Sequence, residues 1–257
     1  AGVKLNYFLS GSPVVVKRMS KIRPQFPHRL ANLVRIRDID EHLKHIPVDR
    51  PSLIGLGFKA AGLVSKARHG MSRKKTEGPS LDVSRPQRFD SRIDEFWSRI
   101  NCNYSFIAER SARVLNWMYC DPRGGAYAAL QAEDDDKVLG YIVLGINGYL
   151  RDYPIGYVAD LLTFPGRLDV AEALAESACE HFDEKGVNII NCLVVKGNPY
   201  SKVFEKRGFL DSRVKMHMFY RTGELSETMM DLKNCSSDRM MFSWGDHDTL
   251  PVEAPRT

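Results

Sequence analysis

The chain has 257 residues, of which 43% are hydrophobic and 10% aromatic, enough for one sizeable core or two small ones. It holds no apolar run of the roughly 18 residues that cross a bilayer. Its five scattered cysteines (Cys102, Cys120, Cys179, Cys192, Cys235) form no C-x-x-C pair, which argues for reduced thiols in a cytoplasmic setting over a disulfide framework or a zinc site. The net charge of +5 hides an asymmetry: residues 1–88 carry 18 Lys and Arg against 6 Asp and Glu, and residues 89–257 carry 19 against 26. A basic first third can attract nucleic acid, anionic lipid or an acidic neighbour. No aromatic interleaving supports nucleic acid, and the rest of the chain is itself acidic. The first residues, Ala-Gly-Val, show no charged-then-apolar leader and no initiator Met, so a processed or fragmentary chain stays open.

In chain order, residues 4–20 read as two short strands around the turn Ser10-Gly11-Ser12-Pro13, a possible remnant of a preceding lobe. Residues 21–80 read as a basic linker broken by Pro24, Pro27, Pro47 and Pro51. It holds a short helix at 37–44 and a basic amphipathic helix at 52–68 that packs on a neighbouring domain or lies on a membrane surface. Residues 69–79 are polar and rich in breakers.

From residue 81 the pattern is regular. A strand at 81–86 is followed by helices at 89–101, with Asp90 as N-cap, and at 109–119. Strands follow at 126–131, 138–146 and 155–164, with the acidic 132–137 as a hairpin turn. Val170, Leu174, Ala178 and Phe182 mark the buried stripe of a helix at 170–185, and Gly186 stops it. An apolar strand at 187–195, a helix at 198–207 and strands at 213–220 and 239–244 complete the order β-α-α-β-β-β-α-β-α-β-β. The helical crossover makes the strands at 155–164 and 187–195 parallel, so the sheet of this α/β domain is mixed. Trp97, Trp117 and Trp244 are expected in core or interface packing, and residues 250–257 read as a tail.

Residues 198–209, Asn-Pro-Tyr-Ser-Lys-Val-Phe-Glu-Lys-Arg-Gly-Phe, resemble the segment N-x-x-A-x-x-(F/Y)-Y-E-K-x-G-F of the general N-acetyltransferase (GNAT) superfamily. Leu115-Asn-Trp-Met-Tyr119 ahead of Asp121-Pro122, and the tail Trp244-Gly-Asp-His-Asp-Thr249, resemble a little-characterised bacterial branch of it. The resemblance covers about residues 81–249 and implies the acyl-CoA N-acyltransferase fold. Acetyl-CoA or another acyl-CoA would then lie in a splay between strands four and five, its pyrophosphate on backbone N–H groups at the start of the following helix. Carried over, the coenzyme contacts are Leu162, Thr163, Gly166, Arg167, Leu168, Asp169, Val170, Asn198 and Phe204.

The sequence departs from the family in two places. The phosphate loop (Q/R)-x-x-G-x-(G/A) keeps Gly166 and Arg167 but lacks the second small residue, and Asp169 is expected at the N-cap with Glu172 completing a capping box. Phe204 stands where many members have a Tyr acid. Tyr200, one turn earlier, either substitutes for it or packs. Asp160 is alone among apolar strand residues, as a base or substrate anchor or as half of a structural ion pair, and His217 is a second candidate base. Asp246-His247-Asp248 alternates along the chain, so its side chains do not converge on a metal.

The implied reaction is acyl transfer from acyl-CoA to an amine by direct attack, with the acceptor, a small molecule or an amine-bearing partner, unspecified. The rival is a non-catalytic lobe used for substrate binding or for packing against an active lobe. Another such lobe or a homodimer is the expected protein partner.

Overall fold

The computed structural model describes residues 5–10, 12–23, 25–26, 28–45, 81–147, 152–222 and 234–247. Among these residues eight strands form one sheet: β1 (Leu5–Ser10), β2 (Leu30–Ile36), β3 (Asp82–Ser84), β4 (Tyr127–Asp134), β5 (Lys137–Asn147), β6 (Ile155–Thr163), β7 (Ile189–Val195) and β8 (Leu210–Thr222). Their spatial order is β1-β8-β2-β7-β6-β5-β4-β3. The β6–β7 pair is parallel and the others are antiparallel, as the meander and the helical crossover require. At the β4–β5 turn, Asp135 and Asp136 take φ of 46° and 62°, the backbone that a two-residue hairpin needs and that Asp tolerates.

Among the described residues, six α-helices accompany the sheet: α1 (Pro13–Met19), α2 (Ile39–His45), α3 (Ser91–Ile100), α4 (Ala112–Leu115), α5 (Leu168–Glu184) and α6 (Tyr200–Lys206). Asp90 caps α3 by accepting from the Arg92 amide, and Ile93, Phe96 and Ile100 are buried. In α5 the expected stripe of Val170, Leu174, Ala178 and Phe182 is buried, and the helix stops before Gly186, whose φ is +69°. The two helices lie on opposite faces. Gly156 of β6 meets Phe182 of α5, whereas Phe96 of α3 packs edge-on against Tyr141, the neighbour of Asp160.

The first third departs most from expectation. Residues 13–19 are helical, not the second strand of a hairpin, because Pro13 at the first helical position sets φ and outweighs the strand preference of three valines. The segment 21–80, read as a linker, contributes β2, whose Leu30 and Leu33 are buried between β7 and β8. β1 then pairs with the far edge of β8. The expected last strand at 239–244 is instead irregular chain between two short 3-10 turns, Ser237–Arg239 and Trp244–Asp246, with one bridge from Phe106 to Met240. With β1 and β2 on either side of β8, no slot remains for it. The second helix is cut to α4 followed by a wider turn, Asn116–Cys120, and Trp117 is 70% exposed, outside any core. The amphipathic segment 52–68, the polar 69–79 and the tail 250–257 lie outside the described residues.

Candidate active site

Hydrogen bonding between β6 and β7 runs from Ile155↔Ile189 to Val158↔Cys192 and then ends, although β6 continues to Thr163 and β7 to Val195. A bulge at Ala159 accompanies the parting: Leu144 pairs with Val158 and Val143 with Asp160. Past the split, side chains satisfy the β6 amides. Asp160 Oδ1 accepts from Leu161 N at 3.1 Å, and the Tyr200 hydroxyl accepts from Thr163 N at 2.9 Å.

β6 leads into a turn closed by Arg167 N donating to Phe164 O at 3.0 Å, and α5 begins at Leu168. The expected capping box is absent. Arg167 occupies the N-cap and makes no side-chain cap bond, while Glu172 pairs with Lys206. Asp169 lies on the exposed side of the first turn, where Arg167 grips it with bonds of 2.8–3.1 Å. Those bonds hold its carboxyl below the usual range, with smaller help from its own amide and that of Val170. Gly166 has φ of +82°, and a Cβ there would meet nothing within 4 Å. The opening turn of α5 thus presents backbone N–H groups that the helix itself cannot satisfy, beside open space and an arginine, with the Asp169 carboxylate bonded to that arginine and to the amides of residues 169 and 170.

The candidate base Asp160 is fully buried. Arg110 Nε donates to Asp160 Oδ2 at 2.7 Å, Arg110 Nη2 donates to Asp246 Oδ1 at 2.7 Å, and the Tyr141 hydroxyl donates to Asp160 Oδ2 at 3.0 Å. Burial pushes the Asp160 carboxyl up, Arg110 opposes it, and Asp246 adds repulsion. Of the two sequence readings, the geometry matches the ion pair: every charge here is spent inside the protein. Asp246 also caps its own turn by accepting from Ser243 N and Oγ.

Tyr200 reaches the split. Besides Thr163 N, its hydroxyl meets Thr163 Oγ1 at 3.0 Å and the Tyr104 hydroxyl, and burial raises its pKa. Phe204 packs edge-on against Phe209, and Asn198 donates to Met240 O at 3.2 Å while accepting from Tyr200 N. Residues 240–243 line the split together with Val158, Leu161, Val195, Tyr200 and Phe204, leaving a cavity of about 10 Å³. Leu162 is fully buried, and His217 lies away from the split, its Nδ1 2.8 Å from Gln25 Nε2. The structure therefore gathers Thr163, Asn198, Tyr200 and Phe204 at the split and residues 164–170 above it, and keeps His217 apart.

Sequence reading missed Arg110, Tyr141 and Tyr104, and weighed Asp246 only as a metal ligand, not as a partner of the Asp160 cluster. A lone carboxylate in an apolar strand signals that some cation is buried with it, but nothing local picks Arg110 out of 37 Lys and Arg.

Residues 92–209 match the model of the Acetyltransferase (GNAT) family. No curated protein matches the sequence. Among solved structures, Saccharomyces cerevisiae N-myristoyltransferase with bound myristoyl-CoA and inhibitors is similar with a TM-score of 0.56 and 12% identity, over 93% of this chain and 58% of that one. The same enzyme with bound myristoyl-CoA gives 0.53 and 13%, over 96% and 58%. A GNAT-family acetyltransferase from Colwellia psychrerythraea gives 0.46 and 9%, over 86% and 66%. The chain thus spans under two thirds of the length of the myristoyltransferase chains it matches, and at these identities the likeness is one of fold.

Proposed function

From the premise that residues 92–209 carry a GNAT-superfamily domain, we propose that the chain binds acyl-CoA and passes its acyl group to an amine. The observation that carries this reading is the parting of β6 from β7 after Val158↔Cys192, directly below the opening turn of α5. The diphosphate displaces the Asp169 carboxylate from the amides of residues 169 and 170 and from Arg167, its counter-charge, and Gly166 leaves it room. The pantetheine arm runs along β6 toward Thr163 and Tyr200. The amine attacks the thioester carbon, the C–S bond breaks, the Tyr200 hydroxyl gives the departing thiolate a proton, and the proton that the acylated nitrogen sheds restores that hydroxyl. Asp160 holds the sheet to the segment carrying Asp246 and stays out of the chemistry. Acetyl-CoA is the proposed donor.

Two variants and one calorimetric titration test this. Acetyl-CoA binds the native chain, and Gly166→Glu lowers affinity at least about tenfold by placing a carboxylate and a strained φ at the diphosphate. Asp169→Ala tightens binding severalfold, because the diphosphate no longer competes for Arg167. No heat at millimolar coenzyme would remove the transferase reading.

A second reading, a non-catalytic lobe, draws on the 10 Å³ left in the split and on the sealed Asp160. It predicts no turnover with any amine, and no change of coenzyme binding in either variant.

A further inference from the structure

β8 carries a wide irregularity opposite β2. Ala31 pairs with Lys215 and Leu33 with Asp211, so Asn32 alone faces Ser212, Arg213 and Val214. The surplus chain bows out, and Arg213 adopts φ of 58°, a strained value for a side chain of its size. Asp211 Oδ1 holds that shape by accepting from Arg213 N at 2.8 Å.

Beneath the bow lies a pocket of about 370 Å³, in the size range of small-molecule sites. Leu30, Ala31, Val214 and Met216 give it an apolar lining, and Gln25 and His217 a hydrogen-bonded pair. Around it stand Arg29, Lys196 and Arg213 against the single carboxylate of Asp211. Among the described residues none of these three cations has an ion-pair partner, unlike Arg35, Arg92, Arg110, Arg123, Arg167 and Arg207. Three cations left without an ion pair among the described residues, around an apolar floor, suit an anion and the carbon skeleton attached to it.

The pocket adjoins the split. Val195 lines the split and its neighbour Lys196 lines the pocket, while Leu30 pairs with both Val195 and Met216. We propose that this pocket receives the anionic end, a phosphate or a carboxylate, of the amine acceptor; that role rests on the transferase reading above. The acceptor is then an amino compound with a negative group, its amine directed past Lys196 toward the thioester.

Calorimetry with inorganic phosphate and with β-alanine tests it, the two probes separating phosphate from carboxylate preference. The variants are Lys196→Ala and Arg213→Gly. The second keeps the positive φ accessible, so its melting temperature should not fall below that of the native chain. One probe binds the native chain, each variant weakens it roughly tenfold, added salt weakens it further, and acetyl-CoA affinity is unchanged. Absence of binding by both probes at millimolar concentration overturns the proposal. So does phosphate binding that Gly166→Glu abolishes and the pocket variants leave intact, since the anion would then sit at α5. If acetyl-CoA fails to bind while the pocket variants lose the probe, the transferase reading falls and the anion site stands.

Discussion

Arg110 is fully buried between two carboxylates, and removing it would leave both without a cation. Breaking a buried pair this way costs about 3–5 kcal/mol, so Arg110→Ala should be among the most destabilising substitutions in the chain. Asp160→Asn is milder, because the amide keeps a partner for the Tyr141 hydroxyl and lets Arg110 and Asp246 balance. The pH dependence separates the two. The Asp160 carboxyl is raised by burial, so its contribution to stability is present at low pH and is lost as pH rises through its folded-state pKa. Relative to the native chain, Asp160→Asn should therefore gain stability with rising pH, read as urea midpoints from acid to neutral pH. A flat difference across that window would show that Asp160 titrates normally. The sequence could mark Asp160 as unusual, since an unpaired carboxylate does not survive inside an apolar strand. It could not tell base from ion pair, because the deciding partners are 50 and 86 residues away from it in opposite directions.

Elements were legible where local pattern and burial agree. The stripe of α5, the Asp90 cap and the β4–β5 turn each carry their cause within a few residues. β2 was not, because the sequence Leu-Ala-Asn-Leu-Val-Arg-Ile sits in a basic, proline-broken stretch and its partners, β7 and β8, lie more than 150 and more than 170 residues further on. Its cations are part of the fit. Buried Arg35 pairs with Asp183 at 3.1 Å, and Arg37 donates to the carbonyls of Asp183 and Gly186 at the end of α5, where positive charge is favoured. Cutting the chain at residue 81, where composition changes, removes β1 and β2 together. β8 then loses both its neighbours and β7 loses one edge. Residues 81–257 expressed alone should aggregate or bind a hydrophobic dye, and supplying residues 1–45 separately should restore a cooperative melt. A cooperative melt without that addition would mean that β8 pairs elsewhere.

Across the whole molecule, the split closes from two sides. Tyr200 and Phe204 of α6 come from one end of the sheet. Residues 240–243 are tied down by Asn198, by Met241 N donating to Phe106 O at 2.8 Å, and by the Arg110–Asp246 bond. A pantetheine arm cannot share about 10 Å³ with them, a volume that scarcely admits one water. On the transferase reading proposed above, coenzyme entry is coupled to release of this segment, and affinity is reduced by the fraction of molecules in which it is closed. Amide exchange measured with and without acetyl-CoA should show slower exchange at residues 164–170, where the diphosphate engages the helix, and faster exchange at 240–243. Weakening the tether should deepen the effect: Asn198→Ala removes the bond to Met240 O, raises exchange at 240–243 without ligand, and tightens coenzyme binding. Slower exchange at both places would instead mean that the arm passes outside the split and leaves the segment as a fixed wall.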